Sequence, residues 1–242
     1  MLSVGTVATN EPDNYYPGHL GVGCNGTKEE LMTHAERKEM RVNKVSSTVG
    51  KEFVKKHHYS HGIHNGPMCY GLYDNDMLVG VCAFATPSSE NVCASVFGAE
   101  HKRSVTELHR LVLLDEVAKN SESFFIVRAL RLLKIDKPQY KAVLSFADAT
   151  EGHLGIIYQA TNALYTGRSG KATFYLDQSG RLRHPRQNGK NITLSEAKKR
   201  GWSPVKREGK YRYLYLLGSK TEKKWAMRNL LLSSLPYPKE KL

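Results

Sequence analysis

The sequence predicts an α/β protein with a mixed central sheet flanked by helices and a basic, β-rich carboxyl-terminal extension. Three observations predict it. Residues 106–147 read as strand, amphipathic helix, strand, with enough length for a crossover, so these two strands should be parallel. Residues 68–85 read as an antiparallel hairpin. Residues 141–148 form a short apolar run ending in an acid, Asp148, ahead of a Gly-containing turn. Open α/β sheets hold ligands at such carboxyl ends of strands.

Each element follows from local pattern. Residues 1–26 are rich in Gly, Asn and Pro and read as irregular. Gly21-Val-Gly23-Cys-Asn-Gly26 matches the dinucleotide fingerprint in letters only, because no strand-like run precedes it. Thr27 and Glu30 make a capping-box pattern that opens a polar helix to about Arg41. A second helix spans Thr48 to about His58. The hairpin pairs 68–73 with 77–85 across Asp74-Asn-Asp76, and Pro87 stops it. Residues 106–114 form a third strand, and 124–133 a strongly amphipathic helix that Asp136, Lys137 and Pro138 end. A strand at 141–147, a helix at 152–162 and a short strand at 163–166 follow. The last part adds a hairpin (172–176 with 181–184), a helix near 194–200 and a β-like run at 210–217. The organisation expected is a segment 1–47 with a polar helix, a core 48–167 and an extension 168–242.

Composition narrows the function classes. The chain has 242 residues with 40% apolar content, enough for a sizeable core and too much for disorder. No apolar run reaches spanning length and no signal-peptide pattern is present, so membrane association is not expected and a cytoplasmic setting is. The four cysteines lack Cys-x-x-Cys spacing, three of them lie in or near strand-like runs and read as small apolar residues, and a reducing compartment is the simplest setting. The net charge is +13 and unevenly placed: residues 1–167 hold 17 basic and 18 acidic residues, residues 168–242 hold 19 and 5. A tail that basic and rich in tyrosine reads as a surface for nucleic acid. A solubilising face or an acidic protein partner are the alternatives.

Several residues could carry chemistry. Arg110 lies inside an apolar strand, where alternation puts Leu108, Arg110 and Val112 on one face. A guanidinium there needs a partner, either an anionic ligand or a carboxylate such as Asp148. Asp148 itself could accept a proton, hold a ligand amine or cap the next helix, although Thr150 caps equally well. Tyr158 shares a helix face with Leu154 and Asn162 and could serve a leaving group, or be a core tyrosine. Asn120, Ser121 and Ser123 precede an apolar helix whose free amides suit a phosphate, or are ordinary caps. His57, His58, His61 and His64 are spaced like metal ligands, but Gly62, Asn65, Gly66 and Pro67 end the helix among them. His58 with Tyr59 more simply suggests a proton-handling or base-stacking wall.

The element order, with Tyr158 on the helix after the second parallel strand, resembles the GNAT acyltransferase fold. Four motifs, Glu107-Leu-His-Arg110-Leu, Asn120-Ser-Glu-Ser123-Phe, Ser145-Phe-Ala-Asp148 and Gly155-x-Ile-Tyr158-Gln-Ala-Thr-Asn162, are more specifically similar to the Mom family of phage DNA-modification proteins. The resemblance covers roughly residues 50–167. It implies conversion of adenine in DNA to N6-carbamoylmethyladenine, which shields phage DNA from host restriction. It implies functional roles for His58, Tyr59, Arg110, Asp148 and Tyr158, an association with iron and an acyl-CoA-like donor pocket. The partners implied are double-stranded DNA and a small-molecule donor; homo-oligomerisation stays open. The chain lacks the Gly-rich pyrophosphate loop of ordinary GNAT enzymes, and an alkyl link to nitrogen cannot come from acetyl transfer. An acetyl-CoA-dependent N-acetyltransferase of a protein or small amine, and a non-catalytic nucleic-acid-binding protein, stand as alternatives.

Overall fold

The computed structural model describes residues 40–58, 62–63, 66–87, 89–187 and 190–239. A seven-stranded sheet organises them, with Met40–Val45 (β1), Met68–Asp74 (β2), Met77–Ala85 (β3), Val105–Leu113 (β4), Ala142–Ala147 (β5) and Leu164–Arg168 (β6) among its strands. The seventh is Tyr211–Leu216 (β12), numbered after five short strands that precede it, and the spatial order is β1-β2-β3-β4-β5-β12-β6. The hairpin forms as expected, with Asn75 at φ 52° in its turn. The crossover strands are parallel, pairing Val105 with Ala142 through Leu108 with Ser145. All other neighbours are antiparallel. The mixed α/β architecture read from the sequence is thus the observed one.

Helices cover both faces. Ser121–Asp136 (α3) buries Phe125, Ile126, Ala129 and Leu133 against Leu72, Phe84, Leu108 and Val143, and the short helix Ile156–Ala160 (α4) joins the same cluster through Ile157 and Tyr158. On the opposite face Ser47–His57 (α1) packs Val54 on Cys69, Val81 and Ala83. Glu90–Phe97 (α2) and Lys220–Arg228 (α6) pack with Val105, Ala142, Leu144 and Leu214. Fully burying side chains of this size contributes roughly 1.5–3 kcal/mol each, and this holds the layers together. Cys69, Cys82 and Cys93 are buried free thiols; burial, the largest influence, pushes Cys69 up to about 11. They are small core residues, as their spacing suggested. No helix among the described residues is long and apolar enough to cross a membrane.

Three expectations change. Residues 40–41, assigned to the polar helix, begin β1, because Met40 and Val42, two apart, both pack into the α3-side cluster; the rest of that helix lies outside the described residues. The helix expected at 152–162 shrinks to five residues, preceded by a 3₁₀ turn at Ala149–Glu151 and left-handed Gly155, and followed by left-handed Asn162. The largest change concerns 168–242. The β-like run 210–217 is not part of an appendage: β12 sits inside the main sheet between β5 and β6, with Tyr213 and Tyr215 buried on the α3 side and Leu214 on the other. By packing, the described residues fall in one unit.

What leaves the sheet is an excursion between β6 and β12. It contains Ala172–Leu176 (β7), Leu182–Arg183 (β8), Arg186–Gln187 (β9), Lys190–Asn191 (β10), Leu194–Lys199 (α5) and Ser203–Arg207 (β11). Strands β11, β7 and β8 make a small antiparallel sheet, and β9 pairs with β10. Tyr175, Ile192 and Ala197, with Trp202, form its own apolar cluster. Its two ends meet: Ser169 N–H donates to Lys210 O (2.8 Å) and Lys210 N–H to Ser169 Oγ (2.9 Å). Gly209 lacks a Cβ that would run into the Ser169 carbonyl. Beyond α6, the chain returns along β6, where Leu235 bridges Tyr165 and Tyr237 Oη donates to Ala163 O (2.9 Å).

Candidate active site

The parallel strands part company at their carboxyl ends. Pairing between β4 and β5 stops at Leu108 and Ser145; β4 then stays with β3 and β5 with β12. Strand β4 also carries a bulge: Arg110 opposes Ala83 and Leu108 opposes Phe84, so His109 is the extra residue. Bulges re-aim side chains, and this one overturns the shared face expected for Leu108, Arg110 and Val112. Leu108 stays in the α3-side cluster, whereas Val112 lies with Val81 and Ala83 under α1. Arg110 takes the α1 side, where its Nε donates to Gly62 O (2.8 Å) just past that helix and its Nη1 to His109 O (2.7 Å).

Asp148 follows β5 at the same edge. Its carboxylate accepts from Thr150 N–H (3.0 Å), capping the 3₁₀ turn, and lies 3.4 Å from both Arg207 Nη2 and Lys210 Nζ. The salt bridge of Asp148 is therefore made with the root of the excursion, not with Arg110. Burial pushes its carboxyl up, but Lys210, the Thr150 amide and Arg207 together outweigh it and hold the group below the usual carboxylate range. Thr150, considered as the cap, is the residue being capped.

Tyr158 stands on α4, on the α3 side of the sheet. Its ring lies 5.3 Å from that of Tyr213, the register partner of Ser145. Left-handed Gly155 admits this contact, since a Cβ there would strike the Tyr213 ring. The face shared with Leu154 and Asn162 does not exist, because both lie outside the five-residue helix. Instead, Tyr213 Oη donates to Leu154 O and accepts from Gln159 Nε2 (3.0 Å), which fixes α4 over β12.

At the amino end of α3, Asn120 is left-handed at φ 67° and makes no side-chain cap bond. Ser121 is buried and donates to Ala118 O (2.6 Å), so its hydroxyl is committed to the turn. Ser123 is half-buried in the first turn. The first turn of α3 meets β1, where Ser121 Oγ lies 3.8 Å from Met40 Sδ, so these residues are not brought beside Arg110 or Asp148. His58 caps α1 in an extended conformation, its N–H bonded to Val54 O (2.9 Å). Tyr59, His61 and His64 lie outside the described residues, and no group of three metal-ligating side chains occurs among the described ones.

The structure does not bring the three expected groups to one face: Arg110 lies on the α1 side of the sheet, Tyr158 on the α3 side and Asp148 at the end of β5. Two further features escaped the sequence. Ser145, fully buried where the strands diverge, has a hydroxyl without a hydrogen-bond partner; a serine inside the apolar run 142–147 was its only signal. Glu107 Oε1 lies 3.5 Å from His109 Nδ1, with both side chains largely buried. Their i, i+2 spacing reads as ordinary alternation until the bulge is known. Taken singly, the guanidinium can bind an anion, the ionised carboxylate accept a proton and the phenol serve a leaving group.

The chain belongs to the Mom protein family, whose model matches residues 39–239. A relative is the methylcarbamoylase Mom of Escherichia phage Mu, 30% identical over 210 residues, covering 84% of this chain and 85% of the relative. Among solved structures, the spermidine/spermine N-acetyltransferase SpeG from Vibrio cholerae aligns with a TM-score of 0.44 and 10% identity, over 80% of this chain and 98% of its own. An N-acetyltransferase from Staphylococcus aureus Mu50 aligns with a TM-score of 0.41 and 12% identity, over 73% of this chain and 97% of its own.

Proposed function

We propose that this protein modifies adenine in phage DNA at its exocyclic N6 amine, forming N6-carbamoylmethyladenine and protecting that DNA from host restriction. The observation that carries the reading is family membership over residues 39–239, with a methylcarbamoylase relative matching most of the chain. An ionised carboxylate, Asp148, just past the carboxyl end of β5 supports it.

The chemistry follows from the groups. The adenine leaves the base stack to reach the edge, as enzymes acting on base atoms require. Its amine is a weak nucleophile because the nitrogen lone pair is delocalised into the ring. As the N6–carbon bond forms and the donor's carbon–leaving-group bond breaks, the nitrogen becomes acidic, and Asp148 takes its proton. A carboxylate held ionised by Lys210 and Arg207 suits this late transfer from a cationic nitrogen. Tyr158 protonates or holds the leaving group, and Arg110 binds the donor's anionic part.

The first turn of α3 offers amides to an anion, but it is not beside Arg110 or Asp148 and Ser121 turns its hydroxyl inward, so Asn120 and Ser123 are the side chains left to contact a donor there. Iron and an acyl-CoA-like donor are implied by the resemblance alone, and no step here passes through either. The test is mass spectrometry of nucleosides from DNA of cells expressing the chain. A new adenosine derivative is expected; Asp148→Asn should reduce it by about 10²-fold or more. An unaltered adenosine pool from folded wild-type protein would reject the reading.

A further inference from the structure

Half of the excess charge of the carboxyl-terminal third lies in the excursion between β6 and β12. Residues 170–209 hold ten Lys and Arg against three Asp and Glu, a net of +7 out of +13 for the whole chain. All three acids are occupied internally. Asp177 holds the β7–β8 turn through Ser179 and Arg181 amides (3.0 and 2.9 Å) and pairs with Arg183 (2.6 Å). Glu196 closes the capping box of α5 on Thr193, and Glu208 bridges Lys171 (2.7 Å) and Arg168 (3.5 Å) at the root.

The cations are placed differently. Arg181 at the hairpin tip, Lys190 on β10, Lys198 and Lys199 on α5 and Lys206 on β11 are exposed, and none pairs with an acid among the described residues. The module's cluster of Tyr175, Ile192, Ala197 and Trp202 needs none of them. Five cations spread over one turn and three elements of a module about one-sixth of the chain raise the electrostatic cost of folding it, unless an anion compensates.

The root fixes where the module is attached. Arg207 lies 5.3 Å over the Phe174 ring of the module and 3.4 Å from Asp148 at the end of β5, and Lys210 reaches the same carboxylate. The module is therefore tethered to the strand edge that holds the candidate active site.

We infer that residues 170–209 form a docking module for the phosphate backbone of duplex DNA, tethered at the catalytic edge through Asp148. This rests on the proposed function and extends it, by assigning DNA affinity to a part of the chain separate from the reacting groups. Lysine and arginine that neutralise phosphates release counterions, so binding through this surface falls steeply with salt.

The test uses the full chain and the variant R181Q/K198Q/K199Q/K206Q, with fluorescence anisotropy on a short mixed-sequence duplex between about 50 and 200 mM salt. The variant should unfold at the wild-type midpoint, bind more than about tenfold more weakly, and lower the slope of log K against log salt by up to about 3.6. Wild-type affinity and slope in the folded variant would overturn the module while leaving the adenine reading intact, provided wild-type protein still modifies DNA. Failure of wild-type protein both to bind duplex and to modify DNA would reject the two together. Preference of wild-type protein for single-stranded RNA or an acidic polypeptide over duplex DNA would also overturn the inference.

Discussion

At the scale of single residues, the sequence announces a charged side chain more readily than its partner. Asp148 and Arg110 stand out because each interrupts an apolar run. The pairing the sequence suggested between them does not form, because a bulge at His109 turns Arg110 to the α1 side and Asp148 pairs instead with cations about sixty residues further along the chain. The Asp148 environment gives a signed expectation. Its carboxyl is held low in the fold, so its contribution to stability is complete above the unfolded value of about 3.9 and is lost as pH falls through the lower folded value. Lys210→Met should raise the Asp148 pKa, which carboxyl-carbon NMR titration would read directly. An unchanged value would mean that the ion pair carries little. Ser145→Ala should leave stability unchanged or improve it by up to about 1 kcal/mol, because the buried hydroxyl has no partner to lose. A lowered denaturation midpoint would show that the hydroxyl is bonded after all. Gly155→Ala should destabilise the fold by roughly 1–3 kcal/mol, through a strained backbone and contact with the Tyr213 ring.

At the scale of elements, the legible parts were those whose pattern is local. The hairpin, the amphipathic helix α3 and the two parallel strands followed from periodicity and turn residues alone. Helix α4 did not: residues 152–162 look helical, but Gly152, Gly155 and Asn162 take left-handed conformations that cut the helix to Ile156–Ala160. The run 210–217 was legible as a strand and illegible as a neighbour of β5, because antiparallel pairing across more than sixty residues leaves no local trace. The two parts of the carboxyl-terminal third should therefore differ in stability. Leu214 is fully buried in the main sheet, so Leu214→Ala should cost about 2–5 kcal/mol and destabilise the whole fold. The small cluster around Tyr175 supports only its own module. Amide exchange should be faster in β7 and β11 than in β5 and β12, and equal protection would contradict the separation.

At the scale of the whole molecule, the charge is uneven as the count indicates, but the structure places half of the excess in an insertion and not in a tail. Because Ser169 and Lys210 are hydrogen-bonded neighbours, β6 and β12 are already a hairpin with a long loop. Replacing residues 170–209 by Asn-Gly, a favoured two-residue turn, should leave a cooperatively folding chain. Calorimetry with a single transition would bear this out. A chain that fails to fold would mean that the module, through Asp148, contributes to the main core. Lengthening a surface connection costs little entropy, which is how such an excursion can be carried by a stable sheet.

The return of the chain along β6 has a consequence for self-association. A strand at the end of a sheet is a template for another copy, and Leu235 and Tyr237 occupy part of that template. β1, at the far end, exposes Arg41, Asn43 and Lys44 instead. One border is sealed by a strap and the other guarded by charge, so a chain shortened before Leu235 would trade a closed seam for a sticky one.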